Sequence, residues 1–116
     1  MPNRITKGRG LFGWLTASDR FTVGASGTNI TQIRVYSQAL DVASVAANTT
    51  AEQTFTVTGL TTGDKVFVNK PALNAGLGVV NARVSAADTL ALTFVNATGL
   101  AIDPASETYT IVAIRS

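Results

Sequence analysis

Residues 49–115, TTAEQTFTVTGLTTGDKVFVNKPALNAGLGVVNARVSAADTLALTFVNATGLAIDPASETYTIVAIR, decide the fold of this chain. Four runs with the composition of β-strands follow one another there, and residues typical of turns separate each run from the next. Thr and Val, which suit the half-buried surface of a pleated sheet, dominate these runs. The stretch therefore predicts a compact β domain.

The run at residues 89–95 has the clearest strand pattern in the sequence. Apolar Leu90, Leu92 and Phe94 alternate with other residues, and such a period of two places all three on one face. Residues 53–58 alternate in the same way, with Thr on the second face. Both runs predict strands with one face in the core.

The remaining runs give less regular signals. Residues 108–114 are apolar on both faces toward their end, which predicts a strand that is central or covered by a partner. Residues 65–69 follow the strand at 53–58 after a turn, so the two could pair as neighbours. Upstream, residues 30–45 are expected to form two short strands separated around Ser37.

Six or seven short strands and the absence of an amphipathic helix predict an all-β fold, an antiparallel β-sandwich or jelly-roll-like domain. A chain of 116 residues is long enough for one such domain. We place the domain at residues 29–116 and an extended N-terminal arm at residues 1–28.

The arm has neither the period of a strand nor that of a helix, and several Gly residues interrupt it. It nevertheless contains Leu11, Phe12, Leu15 and Trp14, the only Trp of the chain. Side chains of this kind favour a contact with protein over exposure to water. Extended, the first 20 residues could reach roughly 65 Å, enough to cross onto a neighbouring subunit.

Charge is distributed unevenly along the chain. Residues 1–20 contain four basic residues and one acid, a net charge of +3, whereas the rest contains five basic residues and six acids, a net charge of −1. A basic arm on a nearly neutral body indicates a partner with an acidic surface. The basic residues of the arm are Arg4, Lys7, Arg9 and Arg20.

Composition also bears on assembly and on location. Charged residues make up only 14% of the chain, which suggests that part of the surface is covered and favours self-association. The basic start is not followed by the apolar segment of a signal peptide, and no run approaches the length of a membrane span. We therefore expect synthesis in the cytoplasm and no membrane partner.

Catalytic chemistry has few residues to use. The chain contains neither His nor Cys, which excludes Ser-His-Asp triads, Cys nucleophiles and metal sites with imidazole or thiolate ligands. Its acids lie at predicted turns and strand ends, where bonding to the backbone explains them. The Gly-x-Gly-x-x-Gly match at residues 8–13 lacks the strand, helix and later acid of a dinucleotide site. We predict no enzyme, no metal and no cofactor.

Nucleic acid is a weak alternative partner. The four basic residues of the arm could bind phosphates, and Phe12 and Trp14 could stack on bases. However, no sequence signature of a nucleic-acid-binding module accompanies them, and the same residues could dock on an acidic, partly apolar protein surface. The sequence disfavours nucleic acid.

Several segments resemble small β-rich structural proteins of tailed-bacteriophage virions, of the head decoration (cement) or head-fibre type. They lie between about Leu40 and Arg115 and leave out the arm. They are the segments FTVTGLTTGD at residues 55–64, NARVSAADT at 81–89, TFVN at 93–96 and IDPASETY at 102–109.

The resemblance implies a capsid decoration protein that oligomerises on the capsid surface of the virion, with a trimer favoured. Its partners would be the major capsid protein or other virion subunits, and no catalytic residue is implied. The arm would anchor it to the capsid. The residues we assign to this anchor are Arg4, Lys7, Arg9, Leu11, Phe12, Trp14, Leu15 and Arg20.

Three other functions stay open from the sequence. A head-fibre, tail or baseplate protein would use the same domain. A carbohydrate-binding module would need exposed aromatic residues, for which Tyr36 and Tyr109 are the candidates. An enzyme with two catalytic carboxylates is the least supported of the three.

Overall fold

The structure is a computed structural model in which residues 19–116 are described. This part of the chain contains β-strands and no helix, which confirms the all-β prediction. The strands are β1 (Gln32–Leu40), β2 (Thr49–Thr56), β3 (Lys65–Asn69), β4 (Leu77–Ala86), β5 (Thr89–Asn96) and β6 (Glu107–Arg115).

The strands form two antiparallel sheets of three, ordered β1-β6-β3 and β2-β5-β4. Apart from the β4–β5 hairpin, every connection crosses from one sheet to the other. The prediction that residues 53–58 and 65–69 pair as neighbours is therefore wrong, because β2 pairs with β5 and β3 with β6. A long-range partner replaces the local one in both cases.

One hydrophobic core draws residues from both sheets, giving a sandwich-like arrangement. Leu90, Leu92 and Phe94 of β5 are fully buried, as their alternation predicts. From the other sheet, Tyr109 and Ile111 of β6 are also fully buried. The rest of the core consists of Leu40, Val42, Val45, Val57, Leu60, Leu77, Val84 and Ala113.

The first strand differs from the sequence prediction. Instead of two short strands separated around Ser37, the chain forms a single nine-residue strand, β1. Ser37 lies opposite Thr110 within the continuous β1–β6 ladder. A polar residue does not interrupt the strand here, because its side chain lies on the outer face of the sheet.

The last strand, β6, is central in its sheet and pairs with β1 on one side and β3 on the other. This confirms that residues 108–114 form a central strand. Because β6 carries apolar residues on both faces, it contributes to the core on one side and to the outer surface on the other.

A turn contact ties the end of β2 to the β4–β5 hairpin. Asp88, at the tip of that hairpin, adopts a positive φ of 58° and accepts a hydrogen bond from the Gly59 amide at 2.8 Å. The Asp88 carbonyl accepts a second bond, from the Val57 amide. Gly59 itself has φ of 107°, a conformation that side-chain-bearing residues rarely adopt.

The predicted arm overlaps the described residues only from residue 19 onward. Phe21 and Ile30 exchange two backbone hydrogen bonds, of 2.8 and 2.7 Å, so the last part of the predicted arm folds back beside the start of the domain. The boundary between arm and domain at residue 28 stays a prediction, as does the conformation of the arm before residue 19.

Candidate functional site

The outer surface of the β1-β6-β3 sheet is apolar. In cross-strand register, Val35 and Phe67 lie on either side of Val112, and Ile33 lies beside Ile114. Ile33 is 61% exposed, Val35 62% and Phe67 64%. We call these five residues the apolar face: Ile33, Val35, Phe67, Val112 and Ile114.

Strand alternation explains how the apolar face forms. In β6, Tyr109, Ile111 and Ala113 point into the core, so the intervening Val112 and Ile114 must point outward. The pairing registers then place Ile33, Val35 and Phe67 on the same outer surface. Because the core is filled from the opposite side of the sheet, these side chains are not needed to complete it.

The other sheet has a polar outer surface. Its β2 residues Thr50, Glu52, Thr54 and Thr56 point outward and are exposed. Arg83 of β4 reaches across β5 to pair with Glu52 at 2.7 Å. The two sheets therefore have outer surfaces of opposite character, and only the β1-β6-β3 sheet presents large apolar side chains in neighbouring rows.

The Arg83–Glu52 ion pair should contribute little to stability, because the two side chains are 55% and 35% exposed and water screens their attraction. The same pairing lowers the pKa of Glu52, chiefly through the hydrogen bond from Arg83. We expect Glu52→Gln to leave the melting temperature close to that of the wild type. A clear loss in thermal denaturation at neutral pH would contradict this expectation.

Asp64 is the buried carboxylate of the described residues. Its side chain is 1% exposed and binds the Arg115 guanidinium through two hydrogen bonds, of 2.7 and 2.9 Å. It also accepts bonds from the amide and the hydroxyl of Thr61. The Arg115 hydrogen bonds, opposed by burial, lower the pKa of Asp64 to about 2. This group has the contacts of a structural ion pair that fixes the β3 turn to the end of β6.

A second partly buried pair lies at the opposite end of the same sheet. Lys70 Nζ is 2.7 Å from Glu107 Oε1, and the Lys70 ammonium also donates to Asn74 Oδ1. Tyr109 is close to this pair and fully buried, and its hydroxyl has no hydrogen-bond partner. Burial, followed by the negative charge of Glu107, raises the pKa of Tyr109 to about 12. The phenol therefore stays protonated at neutral pH.

These positions contradict the aromatic residues expected for a carbohydrate-binding module. Tyr109 belongs to the core and cannot stack on a sugar. Tyr36 is half-buried, and the Arg34 guanidinium lies over its ring, 4.7 Å from the centroid. Neither ring offers a free exposed face, because one is enclosed and the other is covered by a cation.

Searches for two other kinds of site give the following results. Within residues 19–116, no three His, Cys, Asp or Glu side chains come together as metal ligands would. Over the same residues, no helix has the length and apolarity needed to cross a membrane.

Most of the predicted anchor residues lie outside the described part of the chain. They are Arg4, Lys7, Arg9, Leu11, Phe12, Trp14 and Leu15. Arg20 is described and exposed, next to Phe21 and its bridge to Ile30. The structure thus places one predicted anchor residue near the start of β1 and does not test the others.

The apolar face is a feature that the sequence reasoning indicated only in part. The apolar pattern of residues 108–114 on both sides suggested that this strand could be covered by a partner. It did not indicate Ile33, Val35 or Phe67, since residues 30–45 were assigned to two separate strands. An unbroken strand over 32–40 would have placed Ile33 and Val35 on one face.

Comparison of the chain with protein-family models, with curated proteins and with solved structures gives no match. These comparisons therefore offer no link to the virion proteins that parts of the sequence resemble. Any assignment of function has to rest on the sequence pattern and on the two outer surfaces.

Proposed function

We propose that this protein is a structural component of a bacteriophage virion, most specifically a capsid decoration or cement protein, that acts through protein contact. The observation that supports the proposal is the apolar face, which lies outside a complete core. A patch of neighbouring exposed apolar side chains on a small domain is typical of a surface that binds protein.

The polar groups of the domain fit a role in contact better than one in catalysis. Glu52, Asp64 and Glu107 each pair with a cation. Those pairs give each acid a structural partner. A free carboxylate pair of the kind that glycosidases use is therefore not formed from these three acids.

In the proposed assembly, the β-sandwich is a rigid platform and the N-terminal arm is the anchor. The domains associate on the capsid surface, with a trimer favoured, and the arms bind the major capsid protein. Burial of surface between subunits would add to the stability of the shell, since a ligand that binds only the assembled state stabilises that state. Such a protein is made in the host cytoplasm and functions in the virion.

Removal of residues 1–20 tests the anchor. We expect the truncated chain to keep its β-sheet circular dichroism and cooperative melting, because the core draws on residues from Leu40 onward. We also expect it to lose co-sedimentation with purified capsids of the phage that encodes it. Glu52→Gln in the full-length chain is the control and should bind as the wild type does.

Full-strength binding by the truncated chain would overturn the assignment of the anchor. No binding by the full-length chain would overturn the decoration role itself. A head-fibre, tail or baseplate protein is the alternative within the same class, and a cryo-electron-microscopy image of the virion would separate it by showing the protein at a vertex or on the tail.

A further inference from the structure

The size of the apolar face limits what can cover it. From the exposed fractions and sizes of its side chains, it presents on the order of 400 Å² of apolar surface. A standard protein–protein interface buries about 800 Å² on each partner. A second copy packed on this face alone would therefore bury about half of what a stable dimer needs, whereas a short segment of chain would match it.

The described chain begins beside this face. Phe21 pairs with Ile30, and Ile30 is followed two residues later by β1, whose second residue is Ile33. The Thr31 amide donates to the Arg115 carbonyl at 2.8 Å, which holds the entry to β1 at the end of β6. Everything before Arg20 consequently leaves the domain near the Ile33–Ile114 row of the apolar face.

The length of the arm fits the dimensions of the face. Leu15 is five residues before Arg20 and Leu11 is nine, so they can lie up to roughly 17 and 30 Å from it at about 3.3 Å per residue. The face extends about 10 Å across two strand spacings and about 7 Å along the strands between its rows. Every part of the face is within reach of residues 11–15 of the same chain.

The chemistry of residues 11–15 also fits. Leu11, Phe12, Trp14 and Leu15 are four large apolar residues in a segment of five, and Gly13 between them permits a bend. Phe67 at the centre of the face offers an aromatic partner. Because the segment is attached to the domain, its effective concentration at the face is in the millimolar range.

We infer that, in the free protein, residues 11–15 of the arm pack on the apolar face of their own chain. The inference uses the proposed function for one consequence only. When the arm binds the capsid it leaves the face, and the exposed face then becomes available to a neighbouring copy. Association of copies is thereby coupled to binding of the capsid.

Trp14 allows a direct test, because it is the only Trp of the chain and fluorescence reports its surroundings. In the full-length wild type we expect emission that is blue-shifted from that of the unfolded chain, with several-fold weaker quenching by acrylamide. Phe67→Lys and Val35→Lys should each shift the emission toward the unfolded value and restore quenching. Both variants should keep the wild-type circular dichroism, because neither residue is part of the core.

Thr50→Lys is the matched control, since Thr50 is exposed on the outer surface of the other sheet. It should leave Trp14 emission unchanged. The emission of the wild type should also be constant over about a hundredfold range of protein concentration, as an intramolecular contact requires. This second readout separates packing on the same chain from packing on a second copy.

Emission close to the unfolded value at all concentrations would overturn the inference. So would emission that shifts to the blue only as the concentration rises, since a second copy would then cover Trp14. Equal effects of Phe67→Lys, Val35→Lys and Thr50→Lys would overturn it too, because the apolar face would then have no special role. None of these results depends on capsid binding, so failure of this inference and failure of the decoration role can be told apart.

Discussion

Phe94→Ala is expected to lower the free energy of unfolding by about 3–5 kcal/mol, the range for truncating a buried Phe. Phe94 is fully buried at the centre of β5, the middle strand of its sheet. Its cross-strand neighbours are Ala51 and Val79, which are too small to fill the space that the ring would leave. Urea denaturation of the wild type and the variant measures the difference.

Phe67→Ala is the matched control for this experiment, because it removes the same side chain from the outer surface. Phe67 is exposed in the described structure, so the expected loss is about 1 kcal/mol or less. Similar losses for the two variants would contradict the assignment of inner and outer faces. A small loss for Phe94→Ala alone would mean that the core of the β2-β5-β4 sheet is packed differently.

Asp64→Asn should give the second largest effect, a loss of about 2–3 kcal/mol at neutral pH. The carboxylate forms two hydrogen bonds with Arg115 and two with Thr61, and its side chain is buried. An amide has the same size but presents one oxygen, and its NH₂ group would face the Arg115 donors. The buried amide would therefore lose hydrogen bonds without gaining water.

The same ion pair predicts a dependence of stability on pH. The pKa of Asp64 is lowered from 3.8 to about 2 in the folded chain. A carboxyl group with a lowered folded pKa stabilises the fold fully above its unfolded pKa, and the contribution is lost as the pH falls through the folded value. The wild type should thus lose this contribution between about pH 5 and pH 2, and the gap between the wild type and Asp64→Asn should close over that range.

Urea denaturation of both proteins at a series of pH values tests this directly. Glu52→Gln serves as the control, since its carboxylate is also paired with an Arg but is exposed. A gap between wild type and Asp64→Asn that stays constant down to about pH 2 would contradict the lowered pKa.

The strands could be predicted from sequence wherever alternation was strict. Residues 89–95 have a period of two that places Leu90, Leu92 and Phe94 on one face, and the structure buries all three. For residues 30–45 the pattern was imperfect, and a single strand was read as two. There the ladder with β6 decides the structure, because pairing with a buried central strand compensates for polar residues such as Ser37.

The candidate site was less predictable than the fold. The arm attracted attention because its basic and large apolar residues are adjacent in sequence, whereas the apolar face is assembled from three strands that are far apart. Ile33 and Phe67 reach the same surface only because both β1 and β3 pair with β6. No local pattern contains that information.

The sequence by itself determined that this chain forms β-strands, which of their residues face the core in the regular runs, and that thiol and imidazole chemistry is absent. These properties depend on residue type and on spacing within a few positions. Only the tertiary structure decided which strands are neighbours, that Asp64 meets Arg115 across the chain, and that one sheet is apolar on both surfaces. Those features depend on long-range pairing, since each strand has several partners of suitable pattern and only packing of the whole core selects among them.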